Sequence, residues 1–522
     1  MTSAQLTPLE TGLLPTTFDI KLRLRHKLTC CLVTLLPMAG LSAQDEDASE
    51  FPDDVEFGGA FLNPDGLNPD ASNSDGFDGS SFDSSAFDDT MFDGADLFNT
   101  EVETPNNFRF QLSQQTVAHI SRHRYKTPAD NTETQHRGLE NNRFGLNIRY
   151  QNPFAAGWLL QSSAQLRAYL PGDYERDSPG RDGWEWRLNE LFVQRSGAQN
   201  SFSFGRQTIV WGETIGMSVL DVINTTEYRD LTIIDIEDAR LNQWLAVWDH
   251  FSDSGNWSSF INLYPEFDPV PVTGSPLFPQ PLQVKGQTLR LGSYDRDKEL
   301  FEVGTRWNRT LTGGDIAIMA ARLYENTLRY TLPEDGSNHA QIHINDFALL
   351  GFSANRAIDR LLLTFDLAYS HGLLTDTLRQ VPDGAGGTAW LPGYDRQDRV
   401  SVAAGFEYGI SATRQISLGI QAQRFIDLPE DSATRQWRQR DAEGNALLRY
   451  SHSLRNEELM LSATAQVALD GDEILLNLAA DYRLSDAWEV TGQLILTRAA
   501  DDSAIYFLER DVRAGLTLSW SF

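Results

Sequence analysis

The final run of the chain, RAGLTLSWSF, alternates without a break: Ala514, Leu516, Leu518, Trp520 and Phe522 share one side of an extended strand, while Arg513, Gly515, Thr517, Ser519 and Ser521 share the other. Successive side chains of a strand point to opposite faces, so the run predicts a strand with one apolar and one polar face. A half-buried strand of a soluble sandwich and a strand in a membrane both satisfy that pattern. The same device recurs from about Phe108 onward. In RVSVAAGFEYGI, Val400, Val402, Ala404, Phe406, Tyr408 and Ile410 oppose Arg399, Ser401, Ala403, Gly405, Glu407 and Gly409. In EILLNLAADYRL, Ile474, Leu476, Leu478, Ala480, Tyr482 and Leu484 oppose Asn477, Ala479, Asp481 and Arg483. Segments of about 9 to 11 residues are what a tilted strand needs to cross the hydrocarbon core.

The order of the breaks separates the two readings. Short connections (NPFAAG, SGAQN, SDSGN, LTGGD, RAIDR, SATRQ, LSDAW) alternate with connections that are mostly longer, over 121–139, 171–183, 212–239, 267–299, 327–341, 372–396, 428–444 and 501–509. Outer-membrane barrels have short periplasmic turns and longer external loops. The alternation therefore predicts an all-β fold: a transmembrane antiparallel β-barrel of about eighteen strands over residues 106–522. About sixteen is the alternative if RYSHSLRNEEL is one long strand; if it is a hairpin, the tight Asp470-Gly471-Asp472 turn faces outward. Trp158, Trp184, Trp186, Trp257, Trp307, Trp488 and Trp520 stand at strand starts or ends, where interfacial aromatic girdles belong.

Composition narrows the class further. The formal net charge of -30 argues against a nucleic-acid partner, since phosphate binding needs clustered Lys and Arg. No stretch reaches the roughly eighteen apolar residues of a membrane helix. The basic run from Lys21 to Lys27, the apolar core from Leu28 to Leu36 and the small residues before Ala43 have the order of a secretory signal, which places a signal peptide at 1–43. Cys30 and Cys31 lie within it, so the exported protein is expected to be free of cysteine.

Residues 44–105 form an acidic segment with no Lys or Arg between Gln44 and Glu103. Phe57, Leu62, Leu67, Phe77, Phe82, Phe87, Phe92 and Leu97 fall on a period of five, which a short solenoid would produce. There is room for about two coils, too few to share a core, and the charge, Gly and Ser content favours disorder. No calcium-loop spacing is present, and no metal site or cofactor is expected. The segment is a candidate docking tail for a periplasmic partner.

A barrel of this width is wide enough for a water-filled channel. The residues placed inward by phase include Gln161, Gln165, Arg167, Arg306, Arg399, Glu407, Asp481, Arg483 and Arg513, a lining of mixed sign that serves either solute orientation or cross-strand pairing. The third external loop, about Gly212 to Ala239, carries Val219, Leu220, Val222, Ile223, Leu231, Ile233, Ile234 and Ile236, too much apolar surface for a loop in water. Folded into the barrel it would narrow the pore, with Arg206, Trp211, Glu213, Asp221, Asn224, Asp238 and Arg240 as the candidate constriction residues. Arg206 shares its phase with Phe202 and Phe204, so a bulge at Gly205 is the expected device for turning it inward.

GRQTIVWGE, DVIN, EDARLNQW and PEFDPVPVTGSP, within about Ser201 to Leu282, resemble a family of proteobacterial outer-membrane proteins whose domain has no assigned function. Its members share a Gly-Arg-Gln…Trp-Gly-Glu strand end followed by an Asn-Pro and a Pro-Gly-Ser-Pro-like loop; this chain has Asn224-Thr225 where Asn-Pro is expected. Alginate-export channels are similar in strand number and in a Gly-Arg-Gln strand. The terminal Phe522 resembles the aromatic signature that presents such barrels to the outer-membrane assembly machinery. These resemblances imply a bacterial outer-membrane lipid environment and name no solute. The leading expectation is a passive channel for uptake or export of a small or oligomeric polar substrate. The alternative is a non-enzymatic adaptor or lipid-transport component working with a periplasmic or inner-membrane partner. His119, His250, His343 and His371 are scattered and share no motif with a Ser and an acid, so no enzyme is expected.

Overall fold

The structure is a computed structural model. It describes residues 107–522 except 122–123, 127–132, 135–136, 178–181, 231, 234–238, 270–282, 285–286, 289, 292–299, 332–338, 383–387, 429–440, 501–502 and 504. The signal peptide, the acidic segment and Asp238 lie outside the described residues.

Eighteen strands form one antiparallel sheet. They are β1 (Phe108–His119), β2 (Gly138–Ala155), β3 (Trp158–Tyr169), β4 (Trp184–Ser196), β5 (Asn200–Gln207), β6 (Gln243–His250), β7 (Asn256–Tyr264), β8 (Glu302–Leu311) and β9 (Gly314–Tyr324). The second half comprises β10 (Asp346–Ile358), β11 (Leu361–Pro382), β12 (Thr388–Ser411), β13 (Arg414–Ile426), β14 (Ala442–Leu454), β15 (Leu459–Ala468), β16 (Glu473–Ser485), β17 (Trp488–Ala499) and β18 (Val512–Ser521). Each strand pairs with the next, and β18 returns to β1 in a register that sets Ser519 opposite Ser113 and Arg513 opposite His119. Closure removes the sheet edges, which is the condition for strands to cross lipid.

The alternation read from the sequence becomes the inside and outside of this ring. On β10 and β11, Leu350, Phe365 and Leu367 face outward and exposed, whereas Leu349, Ser353 and Asp366 between them are buried. At the short-turn end, Trp488 stacks on Trp520 with centroids 5.8 Å apart, Trp520 on Phe522 at 4.5 Å and Phe110 on Phe522 at 5.3 Å. The N–H of Phe522 donates to the Phe110 carbonyl at 2.9 Å, so the last residue also closes the ring through its backbone. An apolar belt, an aromatic girdle and short turns at the end holding the last strand make a bacterial outer-membrane barrel. No described helix is long and apolar enough to cross a membrane.

Three details depart from the sequence reading or resolve it. RYSHSLRNEEL is a hairpin, with β14 ending at Leu454 and β15 starting at Leu459, so the Asp470-Gly471-Asp472 turn lies at the long-loop end and the count is eighteen. The expected loop 372–396 is mostly strand: β11 and β12 stay paired out to Pro382 and Thr388. The alternation breaks there because the register shifts between Ser370 and Leu373, where Gly372 takes a left-handed φ of 87°. No bulge occurs at Gly205: β5 pairs with β4 and with β6 without a register shift through that residue.

Candidate functional site

The inner wall has two chemically different parts. Over β6 to β11 it is apolar: Leu245, Val247, Phe260, Met319, Leu323, Phe347, Leu349 and Ala368 form one buried cluster, with Trp211, Leu220 and Ile223 of the β5–β6 connection packed into it. Elsewhere the inward positions are mostly polar. Asn477, Asp481, Gln493 and Thr497 face inward on β16 and β17, as the register requires. Among the described residues, Asn477 Oδ1, Thr497 Oγ1 and Ser401 Oγ are buried without a partner, which a wetted interior satisfies cheaply.

Residues 208–242, between β5 and β6, reach both parts. The first arm, residues 208–224, lies on the inner faces of β8 to β13. Its seat is made by glycines at inward positions: a Cβ at Gly304 would stand 2.7 Å from Trp211 Cη2, and one at Gly351 2.5 Å from Leu220 Cδ2. On β12 and β13, a Cβ at Gly405 would stand 3.2 Å from Thr214 Cγ2, and one at Gly419 3.1 Å from the Ile215 carbonyl oxygen. Trp211 meets Phe260 edge-on at 5.4 Å and is 2% exposed. Polar ties fix the arm in register: the Glu213 and Thr214 amides donate to the Asp366 carboxylate at 2.9 and 3.0 Å. The Glu213 carboxylate accepts from Arg306 at 3.0 Å and from Asn355 Nδ2 at 2.9 Å. Burial pushes the Glu213 carboxyl up, outweighing Asn355 and Arg306.

The second arm, described at residues 225–230, 232–233 and 239–242, reaches the opposite part of the ring. Arg143 of β2 donates to Asp230 at 2.7 Å and, through Nε, to Asp173 at 2.9 Å. The Thr232 carbonyl accepts from Gln493 of β17 at 3.3 Å. Glu227 accepts from Arg187 of β4 and from Arg229, each at 2.6 Å, and Arg229 reaches Glu185 of β4 at 3.0 Å. Burial works to raise the Asp230 carboxyl, but the charges of Arg143 and Arg167 and the hydrogen bonds from Thr232 hold it well below the ordinary range. Glu227 is likewise held low, against burial, by Arg229 and Arg187.

The candidate residues read from the sequence fall in separate places. Arg240 and Asp221 pair, with Arg240 Nε donating at 3.0 Å, and Asn224 stands beside them, its Nδ2 donating to the Ile209 carbonyl at 2.6 Å. Trp211 and Glu213 belong to the seated first arm. Arg206 keeps the outward phase of Phe204 and donates to Glu266 at 2.6 Å, as follows from the unbroken register at Gly205. Among the inward residues, Arg513 is fully buried against Glu140, to which Nη1 donates at 3.1 Å, and Gln161 donates to Glu190 at 2.9 Å. The ties made by Arg143, Asp173, Asp230, Glu227, Arg229 and Asp366 were not visible beforehand. For Glu227, Arg229 and Asp230 the one sequence signal was acid and Arg interleaved with apolar residues in EYRDLTIIDIED.

A family model described as "Protein of unknown function (DUF1302)" matches residues 85–520. No curated protein matches the chain. Among solved structures, Acinetobacter baumannii OccAB1 aligns with a TM-score of 0.44 at 9% identity, over 80% of this chain and 96% of that one. Pseudomonas aeruginosa OccK8 (OprE) aligns with a TM-score of 0.42 at 12% identity, over 80% and 98%. Salmonella typhi OmpF, in complex with daunomycin, aligns at 0.38 and 8% identity, over 80% and 97%. Similarity of this degree transfers no function to the chain.

Proposed function

The chain belongs to the DUF1302 family of proteins of unknown function, and on that premise we propose that it is a passive, porin-like channel of the outer membrane whose passage is narrowed by residues 208–242. The observation that supports this reading most is the attachment of that segment to both parts of the inner wall, at Asp366 on β11 and at Arg143 on β2. A connection that only capped the mouth would have no reason to bury Leu220 and Ile223 against inward faces of strands. On the inward faces of β14 to β18, Asn, Gln, Ser and Thr outnumber charges. That lining suits polar solutes that exchange water for side-chain hydrogen bonds without being held tightly. Several inward charges are already compensated, Arg513 by Glu140 and Arg306 by Glu213, so they shape the wall more than they attract ions.

Swelling of liposomes containing the purified full chain tests the reading. Glycerol and small sugars should enter at rates that fall with solute size; liposomes that remain impermeable to all of them would refute a passive channel.

A further inference from the structure

Between the second arm of the 208–242 segment and the wall of β14 to β16 lies a cavity of about 200 Å³. Ile233 comes from the arm, Leu475 from β16, and Ile505 and Leu508 from the connection that precedes β18, so four aliphatic side chains line one part of it and the rest opens to the interior. Leu508 is fully packed and cannot collapse inward to fill the space. Asn445 of β14 and Gln466 of β15 supply the polar part, and neither amide is hydrogen-bonded to a described residue. The charged groups at the cavity are already committed: Glu473 accepts the Ser503 hydroxyl at 2.6 Å and Arg513 is held by Glu140. The cavity sits at the long-loop end of the wall beside the short Asp470-Gly471-Asp472 turn.

We propose that this cavity is a binding site for a neutral amphipathic molecule about the size of one aromatic ring bearing an amide or hydroxyl group. Size and chemistry each point there. A cavity of about 150 Å³ lined by aliphatic and aromatic groups accommodates benzene, so 200 Å³ leaves room for one further small substituent. Two uncommitted amides offer both donors and acceptors to that substituent. A carboxylate is disfavoured, because the basic group at the cavity, Arg513, is already paired and Glu473 adds a negative charge. As a statement about what permeates, the proposal rests on the channel reading; as a statement about binding, it stands on the cavity alone.

The test uses benzamide, benzoate and acetamide against the full chain in detergent micelles, with saturation-transfer NMR corrected for protein-free micelles and single-channel conductance measured on the same preparation. Benzamide should bind, acetamide should not for want of an apolar body, and benzoate should bind at least about tenfold more weakly. Ala468→Phe, which fills the cavity, and Gln466→Leu, which removes the polar partner, should each weaken benzamide binding by about tenfold while leaving conductance measurable. Retained conductance in both variants shows that they have folded. Benzamide binding unchanged in both variants, or benzoate bound as well as benzamide, would overturn the site. In a chain that never conducts, variants that keep the β-sheet circular dichroism and heat-modifiable gel mobility of the folded barrel but lose benzamide binding support the site and overturn the channel, so the two failures are distinguishable.

Discussion

The two ends of the 208–242 segment are held by different physics. On the β8–β13 side, shape does most of the work: inward glycines leave a shallow trough, and Trp211, Leu220 and Ile223 fill it in contact with Phe260, Met319 and Leu349. On the β2–β4 side, charge does it: Arg143 is shared between Asp173 and Asp230, and Arg187 and Arg229 enclose Glu227. Apolar burial is non-directional and does not depend on charge screening, whereas buried ion pairs are directional and intolerant of losing one partner. A segment that must stand in a wet interior at a fixed distance from both walls gains position from the second kind of contact and anchorage from the first.

The largest expected effect comes from breaking the charged end on one side only. Arg143→Ala leaves Asp173 and Asp230 buried together without their cation, which should cost about 3–5 kcal/mol. Heat or urea unfolding of the detergent-solubilised barrel checks this, and a cost under about 1 kcal/mol would mean that the end is solvated. Next is the packed end. Gly351→Leu drives a side chain into the space of Leu220 and Met319, with an expected cost of about 1–3 kcal/mol and a rise in single-channel conductance as the arm lifts.

Acidification should separate the ends more gently. Glu213 is raised by burial, so the folded chain holds its proton better than the unfolded chain; its contribution is fullest at low pH and is lost as pH rises through the raised value. Asp230 and Glu227 are lowered, so theirs is present above the ordinary carboxylate range and lost only as pH falls below it. Conductance titrated from neutral pH down to about 4.5 should therefore contain a component from Glu213 and none from Asp230 or Glu227. Glu213→Gln should remove that component, seen as a smaller pH response than that of the unsubstituted chain, and Asp230→Asn should leave it in place. The smallest effect is expected at Arg322, which is exposed and pairs with Asp346 at the outer rim: Arg322→Ala should change stability by less than about 1 kcal/mol and leave conductance unaltered.

Architecture was legible in the chain because lipid enforces period two on every strand, and the alternation of short and long connections carries the topology with it. Extended pairing beyond Gly372 was not legible, since a single left-handed residue interrupts the phase and makes the rest of the hairpin resemble a loop. The burial of Leu220 and Ile223 could be anticipated from their excess over what a loop in water tolerates. Their seat could not: Gly304, Gly351, Gly405 and Gly419 each look like an ordinary strand glycine until the segment is laid across them. Arg206 was misjudged because a glycine before it suggested a bulge, when its partner, Glu266, lies on the next long connection. Ion pairs such as Arg143 with Asp230 join positions far apart in sequence, and nothing local marks them.

Single-channel conductance of the full chain, compared in planar bilayers with a chain in which residues 212–239 are replaced by a short Gly-Ser linker, tests the central claim most directly. A segment that narrows the passage predicts a conductance at least about twofold higher in the replaced chain, with weaker discrimination by solute size. Equal conductance in the two chains, with both barrels folded, would contradict it.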